Sequence, residues 1–165
     1  MPVTILTPND LDIVVKRELK APRDLVWKAY MTPELLKRWM LGPPGWEMPV
    51  CEVDARVGGR YRYVWAPAGG ADAVKGQGGF GIGGEYLEID APRRNVATQM
   101  FDGVDMGQGG QIVTLQLDAA GDRTQVTTTI RHTTKEERDI ALRSGMSDGM
   151  EAGYARLEEV LGGLA

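Results

Sequence analysis

The sequence predicts an α+β fold, a curved antiparallel β-sheet wrapped around a long C-terminal helix, with two short helices after the first strand. Three observations predict it. The stretch Lys135–Leu164 repeats Met146, Met150, Gly153, Leu157, Val160, Leu161 and Leu164 at three- and four-residue steps, which puts them on one helical face. Strand-like alternation dominates the chain before it, with Tyr61, Tyr63 and Trp65 on one face and Arg60, Arg62 and Val64 on the other. Proline and glycine punctuation separates these segments at short intervals. A helix with one apolar stripe needs that stripe covered, and the strands are the available cover.

Taken in order, Met1–Asp10 carries Pro2 and Pro8 and reads as a loosely held lead-in. The first strand runs from Leu11 or Asp12 to Leu19, with Ile13, Val15 and Leu19 sharing a face with Arg17. Ala21-Pro22 ends it, and proline suits the first turn of a helix running to Met31, whose buried side is Val26, Ala29 and Tyr30. Thr32-Pro33 opens a second short helix bearing Leu35, Leu36, Trp39 and Met40. After Gly42-Pro43-Pro44-Gly45, strands are expected at Glu47–Ala55 and Arg60–Trp65, joined at Val57-Gly58-Gly59. Eight glycines between Gly69 and Gly84 predict a long loop over 66–84, either a flap at a pocket mouth or a plain connection. Strands follow at Glu85–Asp90, Asn95–Phe101, Gln111–Leu117 and Thr124–His132. Thr134 with Glu137 signals a capping box, predicting one unbroken helix over 135–164.

At 165 residues the chain is expected to form a single domain, 1–165. Its net charge of -4 and lack of a basic block argue against nucleic-acid binding. A single cysteine, Cys51, and the absence of a signal-peptide pattern or an apolar run of about 18 residues point to a cytoplasmic protein without membrane insertion. No sequence signal sets an oligomeric state.

The string Gly76-Gln77-Gly78-Gly79-Phe80-Gly81 matches GxGxxG, but a strand and not a helix follows it, so it is not a dinucleotide site. His132 is the sole histidine, and no GxSxG elbow accompanies it. One histidine and one cysteine show no ligand spacing, so neither a metal nor any other cofactor is expected. The first half of the C-terminal stripe is thioether and glycine (Met146, Gly149, Met150, Gly153), whereas the second half is branched aliphatic. That asymmetry predicts a cavity beside the first half. Aromatic and methionine side chains converge on the same interior, nominating Trp39, Trp46, Tyr61, Tyr63, Trp65, Tyr86, Met146, Met150 and Tyr154 as ligand contacts. Glu88 joins them if its strand face turns inward with Tyr86, and Arg17 is then its candidate partner; a carboxylate in apolar surroundings could act as general acid or base.

Four stretches resemble the START-like (SRPBCC, helix-grip) superfamily, and within it the family related to the activator of the heat-shock protein 90 ATPase. They are Ala21-Pro22 through Trp27 with Thr32-Pro33-Glu34-Leu35 and Arg38-Trp39; Val57-Gly58-Gly59-Arg60-Tyr61; Gly84 through Pro92; and Ser144-Gly145-Met146 through Leu161. Met150 stands where this family usually has tryptophan, and the glycine-rich loop is longer than usual. The resemblance implies a sheet of about seven strands gripping the C-terminal helix around an apolar cavity. Its members bind lipids, polyketides, hormones or other apolar ligands; some catalyse cyclisation or hydrolysis, and others assist a chaperone. Three functions stay open: binding a small apolar or aromatic ligand, a cyclase- or hydrolase-type reaction in the same cavity, and a chaperone-associated interaction. For the last, no stable complex with a chaperone ATPase is expected.

Overall fold

The computed structural model describes residues 2–41, 45–68, 79–104 and 110–164. Among these residues, eight strands form one curved antiparallel sheet in the order β1-β2-β8-β7-β6-β5-β4-β3. They are β1 (Thr4–Leu6), β2 (Asp12–Leu19), β3 (Trp46–Val53), β4 (Arg60–Pro67), β5 (Phe80–Asp90), β6 (Arg94–Phe101), β7 (Gln111–Ala120) and β8 (Arg123–Arg131). Helices α1 (Arg23–Met31) and α2 (Pro33–Trp39) follow β2, and α3 (Lys135–Leu142) and α4 (Met146–Leu164) close the chain. All but β1 follow the expected order. The lead-in is not loose: Thr4–Leu6 pairs along the outer edge of β2, with Ile5 opposite Val15.

The expected single C-terminal helix is two. Thr134 caps α3 by accepting the Glu137 N–H at 3.1 Å, while the Glu137 carboxylate reaches back to the Thr133 N–H at 3.3 Å. Gly145 then adopts φ +81°, a left-handed conformation that glycine takes without a Cβ penalty, and the axis restarts at Met146. The helix that the sheet grips is therefore α4, 19 residues and about 28 Å long.

Glycine content misleads at the start of β5, which was expected at Glu85 and begins at Phe80. Phe80 pairs with Trp65, and the register runs on to Glu85 opposite Arg60. The glycines here make room for neighbours. A Cβ on Gly81 would lie 2.6 Å from Asp102 Oδ2, and one on Gly84 would lie 1.8 Å from the Thr98 carbonyl oxygen. Of the predicted glycine-rich loop, residues 69–78, which hold the first half of the GxGxxG string, lie outside the described residues.

The C-terminal half of α4 packs Leu157, Val160 and Leu161 into a core that includes Ile13, Val15, Leu19, Val26, Leu36, Leu117 and Val126. Each such buried side chain contributes about 1.5–3 kcal/mol of transfer free energy. Within this apolar contact lies one charge. Arg17 shares the inner face of β2 with Ile13, Val15 and Leu19 and is 5% exposed. Its Nη2 donates to Glu151 Oε1 and Glu158 Oε1, both at 3.1 Å, and its Cζ lies 5.8 Å from the Tyr154 ring centroid. The two carboxylates, two turns apart on α4, also accept backbone N–H groups: Val3 to Glu151 at 2.7 Å and Lys20 to Glu158 at 3.3 Å.

Burial works to raise the Glu151 pKa, but the hydrogen bonds from Arg17 and the Val3 N–H outweigh it and hold the carboxyl below its ordinary 4.5. The folded chain therefore binds fewer protons there than the unfolded chain. The resulting stability is complete above about pH 4.5 and is lost as pH falls through the lowered folded value. Arg17→Met is expected to cost about 1–2 kcal/mol at neutral pH, discounted because Glu151 is 39% exposed. The variant should also lose less additional stability than the parent between about pH 5 and 3. Thermal melts of both proteins across that range check this; parallel acid limbs would contradict it.

Candidate functional site

Two features hold α4 off the sheet at its N-terminal end. The stripe there is Met146, Gly149, Met150 and Gly153, and a Cβ on either glycine would meet nothing within 4 Å. The facing strands β4 and β5 present large aromatic rings. The space between is a cavity of about 740 Å³. Asp148, Gly149 and Ala152 line it and are exposed, as is Phe80 across the gap, so the mouth lies beside the first turns of α4.

Eight of the ten nominated residues line the cavity: Trp39, Tyr61, Tyr63, Trp65, Tyr86, Met146, Met150 and Tyr154. Alternation along β4 puts Tyr61, Tyr63 and Trp65 side by side, with neighbouring ring centroids 5.0 and 5.9 Å apart. Tyr86 joins Tyr61 at 5.6 Å, and Phe80 stacks on Trp65 at 5.0 Å. The polar tips of this wall are largely committed to protein partners. Trp39 Nε1 donates to the Ala29 carbonyl at 3.1 Å, Trp65 Nε1 to Met40 at 2.7 Å, and the Tyr61 hydroxyl to Thr98 at 2.6 Å.

Trp46 and Glu88 stand elsewhere. The Trp46 ring lies 5.9 Å from Phe80 and is not part of the lining. Glu88 is on the outer face, its Oε2 2.6 Å from Arg94 Nε. The expectation that Tyr86 and Glu88 share a face fails because of a β-bulge. Tyr86 pairs with Ala97 but Glu88 pairs with Val96, so Leu87 is an extra residue and both Leu87 and Glu88 turn outward. The Glu88–Arg17 pair is therefore not formed; Arg17 belongs to α4.

The bulge also restores Ile89 opposite Asn95, which faces inward. Asn95, Gln99 and Thr128 line the cavity as uncharged polar groups, none foreseen in the sequence because each sits in an ordinary strand alternation. Tyr30, Met31 and Phe80 were likewise not nominated. Burial pushes the phenols of Tyr30, Tyr61, Tyr63, Tyr86 and Tyr154 up, that of Tyr86 to about 12, so all five are neutral near pH 7. Hydrogen bonds to Thr128 and Tyr30 oppose the rise at Tyr154. Of the described lining residues, only Asp148 and Arg156 carry charge, and Arg156 Nη1 donates to the Trp39 carbonyl at 3.2 Å.

His132 is buried at the end of β8, its Nδ1 3.1 Å from the Leu11 carbonyl oxygen, away from the cavity. No group of three or more His, Cys, Asp and Glu side chains among the described residues is arranged to hold a metal ion. No helix among them is long and apolar enough to cross a membrane.

The family model for activator of Hsp90 ATPase homolog 1-like proteins matches residues 20–162. No curated protein matches the chain in sequence. A crystal structure of a Rhodobacter sphaeroides protein superposes with a TM-score of 0.84 at 25% identity, covering 99% of both chains. One from Nitrosomonas europaea gives 0.79 at 28% identity, covering 96% of this chain and 98% of its own. The solution structure of an AHSA1-like protein from Aeromonas hydrophila gives 0.66 at 22% identity, over 92% and 95%, a likeness of fold alone.

Cys51 pairs across β3 and β4 with Tyr63 and is buried, outside the lining. Burial pushes its thiol up to about 11; Lys37 opposes this, and Glu34 and Glu52 add to it. At pH 8 about one thiol in a thousand is then ionised. A disulfide reagent such as dithionitrobenzoate is expected to label native protein at least about 100-fold more slowly than denatured protein. Equal rates would show Cys51 to be an accessible, reactive thiol.

Proposed function

This chain belongs to the activator of Hsp90 ATPase homolog 1-like family, and on that premise we propose that its cavity binds one small apolar or aromatic ligand. The supporting observation is the cavity itself. Its volume of about 740 Å³ falls in the range of pockets that enclose drug-sized molecules. Its wall is aromatic and thioether, with a few uncharged polar groups. The fold is one that binds hydrophobic ligands generally.

Met150 is the residue that makes this reading specific to the chain. A flexible thioether on the α4 face, flanked by Gly149 and Gly153, leaves space and adapts to what fills it. Acid–base chemistry has less support. Glu88, the carboxylate nominated for it, is paired with Arg94 on the outer face, and the lining tyrosines are held as neutral phenols.

The uncharged dye N-phenyl-1-naphthylamine is expected to bind the folded protein saturably with enhanced fluorescence. Met150→Trp, which fills the space beneath α4, should weaken that binding about 5- to 10-fold while circular dichroism shows the fold retained. Unchanged affinity in a folded variant would move the site away from this cavity.

A further inference from the structure

Of the uncharged polar strand side chains in the cavity lining, Gln99 is paired, its Nε2 donating to Gln111 Oε1 at 2.9 Å, whereas Asn95 and Thr128 share another row. Cross-strand register aligns Asn95 on β6 with Leu115 on β7, and Leu115 with Thr128 on β8. Strands are spaced about 4.8 Å apart, so Asn95 and Thr128 flank Leu115 along one inward-facing row. The next inward row, Ala97, Val113 and Ile130, is wholly apolar. Tyr154 engages Thr128 and Tyr30 from the helix side, which places the neutral hydroxyls over the same row. The row of Asn95 and Thr128 is therefore one polar strip of the cavity, separated from the paired Gln99 by the apolar row.

Asn95 is its least satisfied member. It is 7% exposed, and among the described residues its Nδ2 donates only to Met31 Sδ, at 3.5 Å. A thioether sulfur is a weak acceptor, so a buried amide is left poorly paired beside open cavity volume. Its neighbours on the row offer neither a cation nor an anion; Asp148 is at the mouth, and Arg156 is on the α2 side.

We propose that the ligand is an uncharged aromatic or alicyclic carbonyl compound whose oxygen accepts a hydrogen bond from Asn95 Nδ2, with its apolar body against the Tyr61–Tyr63–Trp65 wall. This rests on the reading of the cavity as a ligand site and adds the class of ligand. An amide donor selects an acceptor, and a desolvated row without counter-charge disfavours a carboxylate or an amine. Asn95 is thus a specificity residue, set on the inner face by the regular alternation of β6 with Ala97.

Three probes of one shape test it by displacing N-phenyl-1-naphthylamine: 2-acetylnaphthalene, its hydrocarbon counterpart 2-isopropylnaphthalene, and 2-naphthoate. The ketone is expected to bind about 5-fold more tightly than the hydrocarbon and at least 10-fold more tightly than the carboxylate. In Asn95→Leu the ketone-to-hydrocarbon ratio should fall to about one, with the hydrocarbon still bound. If that variant does not fold, the 13C carbonyl shift of the ketone bound to the parent decides: a downfield move from its value in hexane supports the hydrogen bond, and no move overturns it. Equal binding of ketone and hydrocarbon, or tighter binding of the carboxylate, overturns the Asn95 assignment and leaves the ligand site standing. Failure of the dye and all three probes to bind overturns both.

Discussion

A buried guanidinium sets the position of the helix on which the site depends. Arg17 sits among Ile13, Val15 and Leu19 on the concave face of the sheet, where an unpaired charge would cost several kcal/mol. Glu151 and Glu158 are two turns apart, so both can reach Arg17 only at one rotation and one axial position of α4. Apolar packing alone is tolerant of small slides. The paired carboxylates are not, and their second oxygens tie the same helix to the backbone at Val3 and Lys20. With α4 so fixed, Tyr154 lies under the guanidinium, and Met146, Met150 and Gly153 face the aromatic strands.

The cavity follows from that placement and from residue size. Leu157, Val160 and Leu161 fill the interior at one end of α4. At the other end, glycine and methionine face rings whose bulk keeps the helix and sheet apart. Gly145 matters here because its left-handed φ ends α3, which frees α4 to take its own direction from Met146 onward. The bulge at Leu87 does comparable work on the sheet side. One extra residue keeps Tyr86 inside and sends Glu88 outside, leaving the sheet wall of the cavity without that carboxylate.

The regular parts of this architecture were legible in the sequence. Period-two alternation placed Tyr61, Tyr63 and Trp65 inward, and the contrast between the two halves of the terminal stripe located the cavity. What escaped were departures from regularity. Alternation assigned Tyr86 and Glu88 to one face because a bulge leaves no mark in composition. Phe80 was lost to a glycine-rich loop, although Gly81 and Gly84 are there because neighbouring atoms occupy the places of their side chains. The break at Ser144-Gly145 was hidden inside an unbroken stripe, since periodicity survives a kink when both segments bury the same face. Arg17 was seen on the right face, but its partners lie 134 and 141 residues away, a separation that local pattern does not carry.

The central claim is that a small apolar molecule enters the space between α4 and the aromatic strands. Methionine methyl groups report on it directly. Met31, Met40, Met146 and Met150 line the cavity, Met48 is buried outside it, and Met100 is exposed on β6. In a 13C-methyl methionine spectrum titrated with 2-acetylnaphthalene, the account predicts that the four lining methyls shift along one saturable curve while Met48 and Met100 stay in place. Shifts confined to Met100, or linear drift of all six without saturation, would contradict it.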